Sequence, residues 1–225
     1  MSGSPLPLLR KTAPFLALLF CAVFVQAAPS PELLARPAEW ATAVPGTSVA
    51  NLYRIEDGLY RAAQPTAAGF TELAALGVHG VLDVAGGAGD EALIGADTIR
   101  TFHVPMSAWG LHDDLVLRAL RIMADPANRP LLIHCQHGAD RTGAMVALYR
   151  VVVQGWNKAD AIREMNEGGY HHSFLWKNLD RYVDRADVAA LRKALGLPER
   201  QLGATGDSGP ADALALPVAA AVSPR

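Results

Sequence analysis

Apolar positions along the chain fall into two kinds of run. Short continuous runs bounded by Gly or Pro cover Val78–Val84, Ile99–Val104 and Leu131–Cys135. They hold β-branched residues and are too short for helices, so they predict strands buried on both faces. Between them, apolar residues recur at helical spacing. Thr66–Leu76 follows Pro65 and stops at Gly77, while Asp113–Ala124 places Leu115, Val116, Ala119, Leu120 and Met123 on one face. Arg141–Gln154 is apolar almost all round and predicts a buried helix ended by Gly155. Asn157 suits the cap of a further helix over Lys158–Glu167, closed by Gly168-Gly169. Asn51–Ile55 and Leu59–Arg61 flank Asp57-Gly58, a hairpin signal. Strands alternating with helices predict an α/β fold of three layers. A mostly parallel central sheet of about four to five strands is flanked by helices. Ligands of such sheets bind beyond the C-terminal strand ends, and Leu131–Cys135 ends on a cysteine.

The N-terminus has a different pattern. Arg10 and Lys11 precede an apolar run from Ala13 to Val25, which meets Ala27 and Ala28. A basic start, a short apolar core and small residues predict a secretory signal peptide, cleaved after Ala27. A retained anchor is the alternative, but a span needs about 20 apolar residues. The organisation read from the chain is a signal peptide at 1–27, an arm rich in Pro, Ala and Ser at 28–50, a domain at 51–197, and a disordered tail at 198–225. A periplasmic address follows, with no stable membrane insertion after cleavage.

Composition narrows the chemistry. Hydrophobic residues are 51% of 225 and charged ones 19%, which excludes global disorder. The formal charge of −2 becomes −4 when Arg10 and Lys11 leave with the leader. No basic excess is available for nucleic acid. Cys21 also leaves, so the mature chain keeps one cysteine, Cys135, in an oxidising compartment. A lone thiol cannot form an internal disulfide, which favours a reactive role.

That cysteine lies in His134-Cys135-Gln136-His137-Gly138-Ala139-Asp140-Arg141-Thr142-Gly143, between a buried strand and a buried helix. A tight loop entering a helix aims successive amides at one point, and the helix dipole adds positive potential there. Anionic charge is stabilised at that point, and a thiolate there is a nucleophile toward phosphorus. Six residues on, Arg141 can close its fork over a phosphate, which Lys cannot do in bidentate fashion. Thr142 can donate its hydroxyl to the sulfur. Gly138 and Gly143 allow the turn and close helix packing.

The pattern Cys-x5-Arg-Thr resembles the active-site signature of the cysteine-dependent protein tyrosine phosphatases. Asn51-Leu52-Tyr53-Arg54, Leu59 to Pro65, Tyr149 to Trp156, and Glu164-Met165 with Gly168-Gly169 resemble secreted bacterial dual-specificity phosphatases of the TpbA type. The resemblance covers roughly residues 40–195. It implies a protein tyrosine phosphatase-like fold, a phosphocysteine intermediate, no metal or other cofactor, and a phosphorylated protein as substrate. Carried over by position, Cys135 is the nucleophile and Arg141 binds phosphate and stabilises the transition state. The amides of Gln136, His137, Gly138, Ala139, Asp140 and Arg141 cradle the oxygens, with His134 in support. A monomer is expected.

The family's general acid is an aspartate on a loop upstream of the cysteine. Here that loop reads Met106 to Asp114, with Trp109 or a neighbour where the acid aligns. Asp113 and Asp114 are the candidate acids. Their structural alternative is capping of the helix that starts there, and Asp83 and Asp90 lie further off. Arg61 has two readings, support for the loop or surface cover. Trp109, Trp156 and Trp176 are expected in packing, with a wall of the cleft as the alternative for Trp109, and His171-His172 are expected solvated at a helix end. Three other functions use the same residues. A sulfurtransferase shares the loop cysteine, but Arg-Thr-Gly favours phosphate. A pseudophosphatase would bind phosphotyrosine without an effective acid. A phosphoinositide or lipid phosphatase would share the fold, yet the loop's variable positions carry one acid and no Lys or Arg. A metal cluster of His134, Cys135 and His137 lacks a matching second pair.

Overall fold

A computed structural model describes residues 36–94 and 99–198. The leader, its cleavage site, the first part of the arm and residues 199–225 of the tail lie outside the described residues. One sheet holds six strands: β1 (Thr42–Ala43), β2 (Tyr53–Glu56), β3 (Leu59–Ala63), β4 (Gly80–Asp83), β5 (Arg100–His103) and β6 (Leu131–Cys135). Their order is β1-β2-β3-β6-β4-β5. The strands β3, β6, β4 and β5 run parallel, and β2 and β1 extend one edge antiparallel. The strand beyond the expected four to five is β1, donated by the arm. Thr42 and Ala43 pair with Arg54 and Tyr53, and Trp40 and Ala41 before them are buried. Two residues offer no periodicity to read.

Position β6 is central, and every residue of it is buried. Its side chains alternate between two apolar clusters, as a strand's period of two requires. Leu131, Ile133 and Cys135 join the larger cluster with α3 (Asp113–Ala124) and α4 (Asp140–Tyr149). Leu132 joins Ala62, Val81, Phe70 and Leu73 on the other face, where α1 (Ala67–Ala75) packs. Thr66 caps α1 by accepting from the Gly69 amide. A short α2 (Glu91–Ile94) follows the glycine loop. Asn157 caps α5 (Lys158–Glu167) by accepting from the Asp160 amide. Beyond it come α6 (Lys177–Arg185) and α7 (Val188–Ala194).

The helix expected over 141–154 changes pitch. After Tyr149 the chain widens into a π-turn over Arg150–Gln154, and Gly155 ends it at φ +81°. Arg150 points inward. Its guanidinium donates to Glu164 at 2.8 and 3.0 Å and to Gln154 at 2.8 Å, and it stacks on Trp156 at 4.3 Å. Glu164 also accepts from the Ala41 amide at 2.7 Å and the Tyr170 hydroxyl at 2.9 Å. The arm, α5 and the π-turn therefore meet on one buried carboxylate, which is 2% exposed. Removing one partner strands the other charge away from water. Glu164→Ala should lose about 3–5 kcal/mol of stability, read as a lower urea midpoint at unchanged slope. A loss below about 1 kcal/mol, the scale of a solvated pair, would contradict this role.

Candidate active site

The site begins where β6 ends. Cys135 is a free thiol, 2% exposed, and the loop after it enters α4 with Ala139 at the cap position. Three neighbours hold consecutive loop carbonyls. The Gln64 amide donates to Gln136 O at 3.3 Å, Asn51 Nδ2 to His137 O at 3.0 Å, and Arg61 Nη2 to Gly138 O at 2.7 Å. A trans peptide sets its carbonyl and the following N–H on opposite sides. The amides of His137, Gly138 and Ala139 therefore point away from those anchors. Successive amides aimed together at a helix start make an anion cradle. Gly138 makes the turn possible, with φ +66°. A Cβ there would stand 2.3 Å from the Ala62 carbonyl on β3.

Of its two readings, Arg61 takes support for the loop. It is wholly buried, stacks on the Tyr170 ring at 3.6 Å, and leaves Nε and Nη1 without hydrogen-bond partners among the described residues. Burial lowers its guanidinium from the usual arginine value, and the charges of Tyr170, Glu164 and Cys135 oppose that shift. Asp140 contributes its amide position to the loop, but its carboxylate turns elsewhere. It accepts from the Ser173 amide at 2.9 Å and lies 3.1 Å from His172 Nδ1. Burial would raise this carboxyl; the His172 and Ser173 hydrogen bonds outweigh it and hold it low. His172 is thus not solvated. Its ring is buried between Asp140 and Asp180, the latter at 3.2 Å.

His134 is buried beside the nucleophile. Its Nε2 lies 2.7 Å from Asp90 Oδ2, and Gln64 donates to the other oxygen at 3.2 Å. Burial works to raise the Asp90 carboxyl, but the His134 hydrogen bond leads the effects that leave it below its ordinary value. Asp83 is raised, chiefly by burial. Both carboxylates, set aside on sequence distance, face the histidine that precedes Cys135. The β4–β6 register places Asp83 opposite His134, and only that pairing reveals it. Thr142 Oγ1 is buried and makes no hydrogen bond among the described residues, so the expected contact with sulfur is not formed.

Arg141 lines an open cleft with Pro105, Met106, Ala108, Trp109 and Trp176. Its Nη1 makes a long contact to Met106 O, 3.4 Å, and its Nε is buried without a partner among the described residues. Asp113 and Asp114 are exposed in the first turn of α3, and neither lines this cleft. His112, not an aspartate, occupies the cap position, and it makes no side-chain capping bond. Asp113 accepts instead from the Tyr182 hydroxyl at 2.6 Å. Trp109 departs from the packing expectation, being 84% exposed, and takes the alternative reading by lining the cleft.

A family model described as "DSP-PTPase phosphatase fused to NAD+ Kinase" matches residues 38–174. The dual specificity protein phosphatase TpbA of Pseudomonas aeruginosa is 38% identical over 161 residues, 71% of this chain and 72% of that protein. The chain belongs to the dual-specificity branch of the cysteine-dependent protein tyrosine phosphatases. A crystal structure of P. aeruginosa TpbA in complex with phosphotyrosine matches this phosphatase with TM-score 0.65 and 38% identity. The match covers 72% of this chain and 98% of that one. The inositol diphosphatase DSP3 of Arabidopsis thaliana is 27% identical over 154 residues, 64% of this chain and 74% of that protein. For the phosphatase, the contact of Gly138 with β3 makes loop geometry a measurable quantity. Gly138→Ala should lower kcat/KM at least about a hundredfold, the cost of misplacing reacting groups by an ångström. Cooperative unfolding should persist. Activity within about threefold of the parent would refute the anchoring of the loop to β3.

Proposed function

We propose that this phosphatase is a periplasmic enzyme that hydrolyses phosphotyrosine, and secondarily phosphoserine or phosphothreonine, through a phosphocysteine intermediate. The observation that carries the reading is the loop from Cys135 to Arg141, with its carbonyls held outward and its amides turned the other way. Likeness to TpbA, named a dual specificity protein phosphatase, supports the substrate class.

The Cys135 thiolate attacks phosphorus in line. The loop amides and Arg141 hold the equatorial oxygens, where transition-state charge resides. Of the two candidate carboxylates at the start of α3, Asp113 is assigned to protonate the departing oxygen and then to serve as base for the water that hydrolyses phosphocysteine, a role that requires it to reach a cleft it does not line in this structure. The second reading, a phosphoinositol substrate, draws on likeness to DSP3. The loop side chains from Gln136 to Asp140 oppose it, since none is Lys or Arg to meet extra phosphates. The periplasmic address rests on the basic-apolar-small pattern of residues 1–27. An intact mass that begins at Ala28 in the periplasmic fraction supports it, and one retaining the leader contradicts it.

The test is a set of pH–rate profiles with an aryl and an alkyl phosphate. Cys135→Ser should abolish turnover of both by at least about a thousandfold. A protonated acid is required for the leaving oxygen, so the parent rate should fall on the basic side of its profile. Asp113→Asn should flatten this basic limb and lower kcat about a hundredfold for the alkyl ester. The aryl ester should lose less, because phenolate departs with little protonation. Retention of the limb in both Asp113→Asn and Asp114→Asn would remove these carboxylates from the mechanism.

A further inference from the structure

The cleft beside Arg141 has a wall that hydrolysis alone does not explain. Trp109 is 84% exposed, yet it meets Trp176 edge to face, with centroids 4.8 Å apart and planes at 81°. Both indoles and Arg141 line the same cleft. Neither tryptophan is carried on a loose segment. Ser107 and Gly110 bridge the turn that carries Trp109, and the Trp109 amide donates to Ser107 Oγ at 3.2 Å. Asn178 on α6 donates to Ala108 O at 2.7 Å, which pins this turn to the helix that follows Trp176. The turn Phe174–Trp176 is in turn tied to the phosphate loop, through the Ser173 amide on Asp140. The aromatic wall is therefore tied to the anion cradle by hydrogen bonds between side chains and backbone.

Among the described residues, Arg141 is the single charged side chain lining this cleft; the rest of the lining includes Pro105, Met106, Ala108 and the two indoles. A matching ligand has one anionic end and a flat, uncharged, apolar body. Resting on the phosphomonoesterase reading above, we infer that Trp109 and Trp176 receive the aromatic ring of an aryl phosphomonoester and select it over polyphosphorylated inositol. A ring beside the indoles gains apolar burial and an edge-to-face or offset contact. A polyphosphate in the same place would set further anions against indoles and a methionine, with no second cation in the lining to offset their desolvation. The wall stands where the family's acid aligns, so at this position the chain offers a ring contact in place of a carboxylate.

The experiment compares phosphotyrosine with acetyl phosphate, whose leaving group departs unprotonated and has no ring, and with inositol hexakisphosphate. In Trp109→Ala and Trp176→Ala, the ratio of kcat/KM for phosphotyrosine to that for acetyl phosphate should fall about tenfold, carried mainly by KM. Trp109→Phe should keep that ratio within about threefold, because a ring remains. The parent should prefer phosphotyrosine to inositol hexakisphosphate. An unchanged ratio in both alanine variants, or a parent that prefers the inositol ester, overturns the ring wall while leaving a phosphatase. A parent inert toward all three substrates overturns the phosphatase reading itself, and the wall with it.

Discussion

A guanidinium with no access to water holds the phosphate loop in place. Arg61 sits between the ring of Tyr170 and the carbonyl of Gly138. Burying such a charge costs several kcal/mol on the general scale for ions in proteins. The ring face and the carbonyl offset part of this. Tyr170 then donates to Glu164, which binds Arg150 and the arm's Ala41 amide. A chain of buried polar groups thus runs from the start of the described domain to the loop after Cys135. Neither end is independent, because any break leaves an ionised neighbour without its partner.

From that anchoring the chemistry follows. Holding three carbonyls from the β3 side fixes which way the intervening amides face. The cradle needs no reorganisation when charge develops, and preorganisation is what makes such donors effective. On the other side of the loop, Asp140 grips His172 and Ser173. Its carboxylate is thereby kept occupied, and the turn bearing Trp176 is fixed relative to the loop. One residue in the signature thus links phosphate binding to the aromatic side of the cleft.

Local signals in the chain were readable where a single segment sets its own structure. Strand β6, helix α3 and the cap Asn157 depend on spacing and turn residues within a short window. The spacing of Cys135 and Arg141 is likewise local, and the parallel α/β architecture follows from alternation. What escaped was non-local. Arg61 and Tyr170 are far apart in the chain, and nothing near either foretells their stacking. Asp90 and Asp83 reach His134 only through strand register and the fold of the glycine loop. His172 looked like a surface residue because its carboxylate partners come from α4 and α6. The two-residue β1 is too short for a period, and the π-turn at Arg150 answers to Glu164 on another helix.

The central claim is that sulfur carries the phosphoryl group during turnover. Rapid mixing with an aryl phosphate labelled at phosphorus, acid quenching within one turnover and peptide mapping address it directly. Label should appear on the peptide containing Cys135 at near one equivalent when attack outpaces hydrolysis, then decay at the steady-state rate. Product release with no labelled enzyme at any quench time, or label on His137 in place of Cys135, would contradict the account.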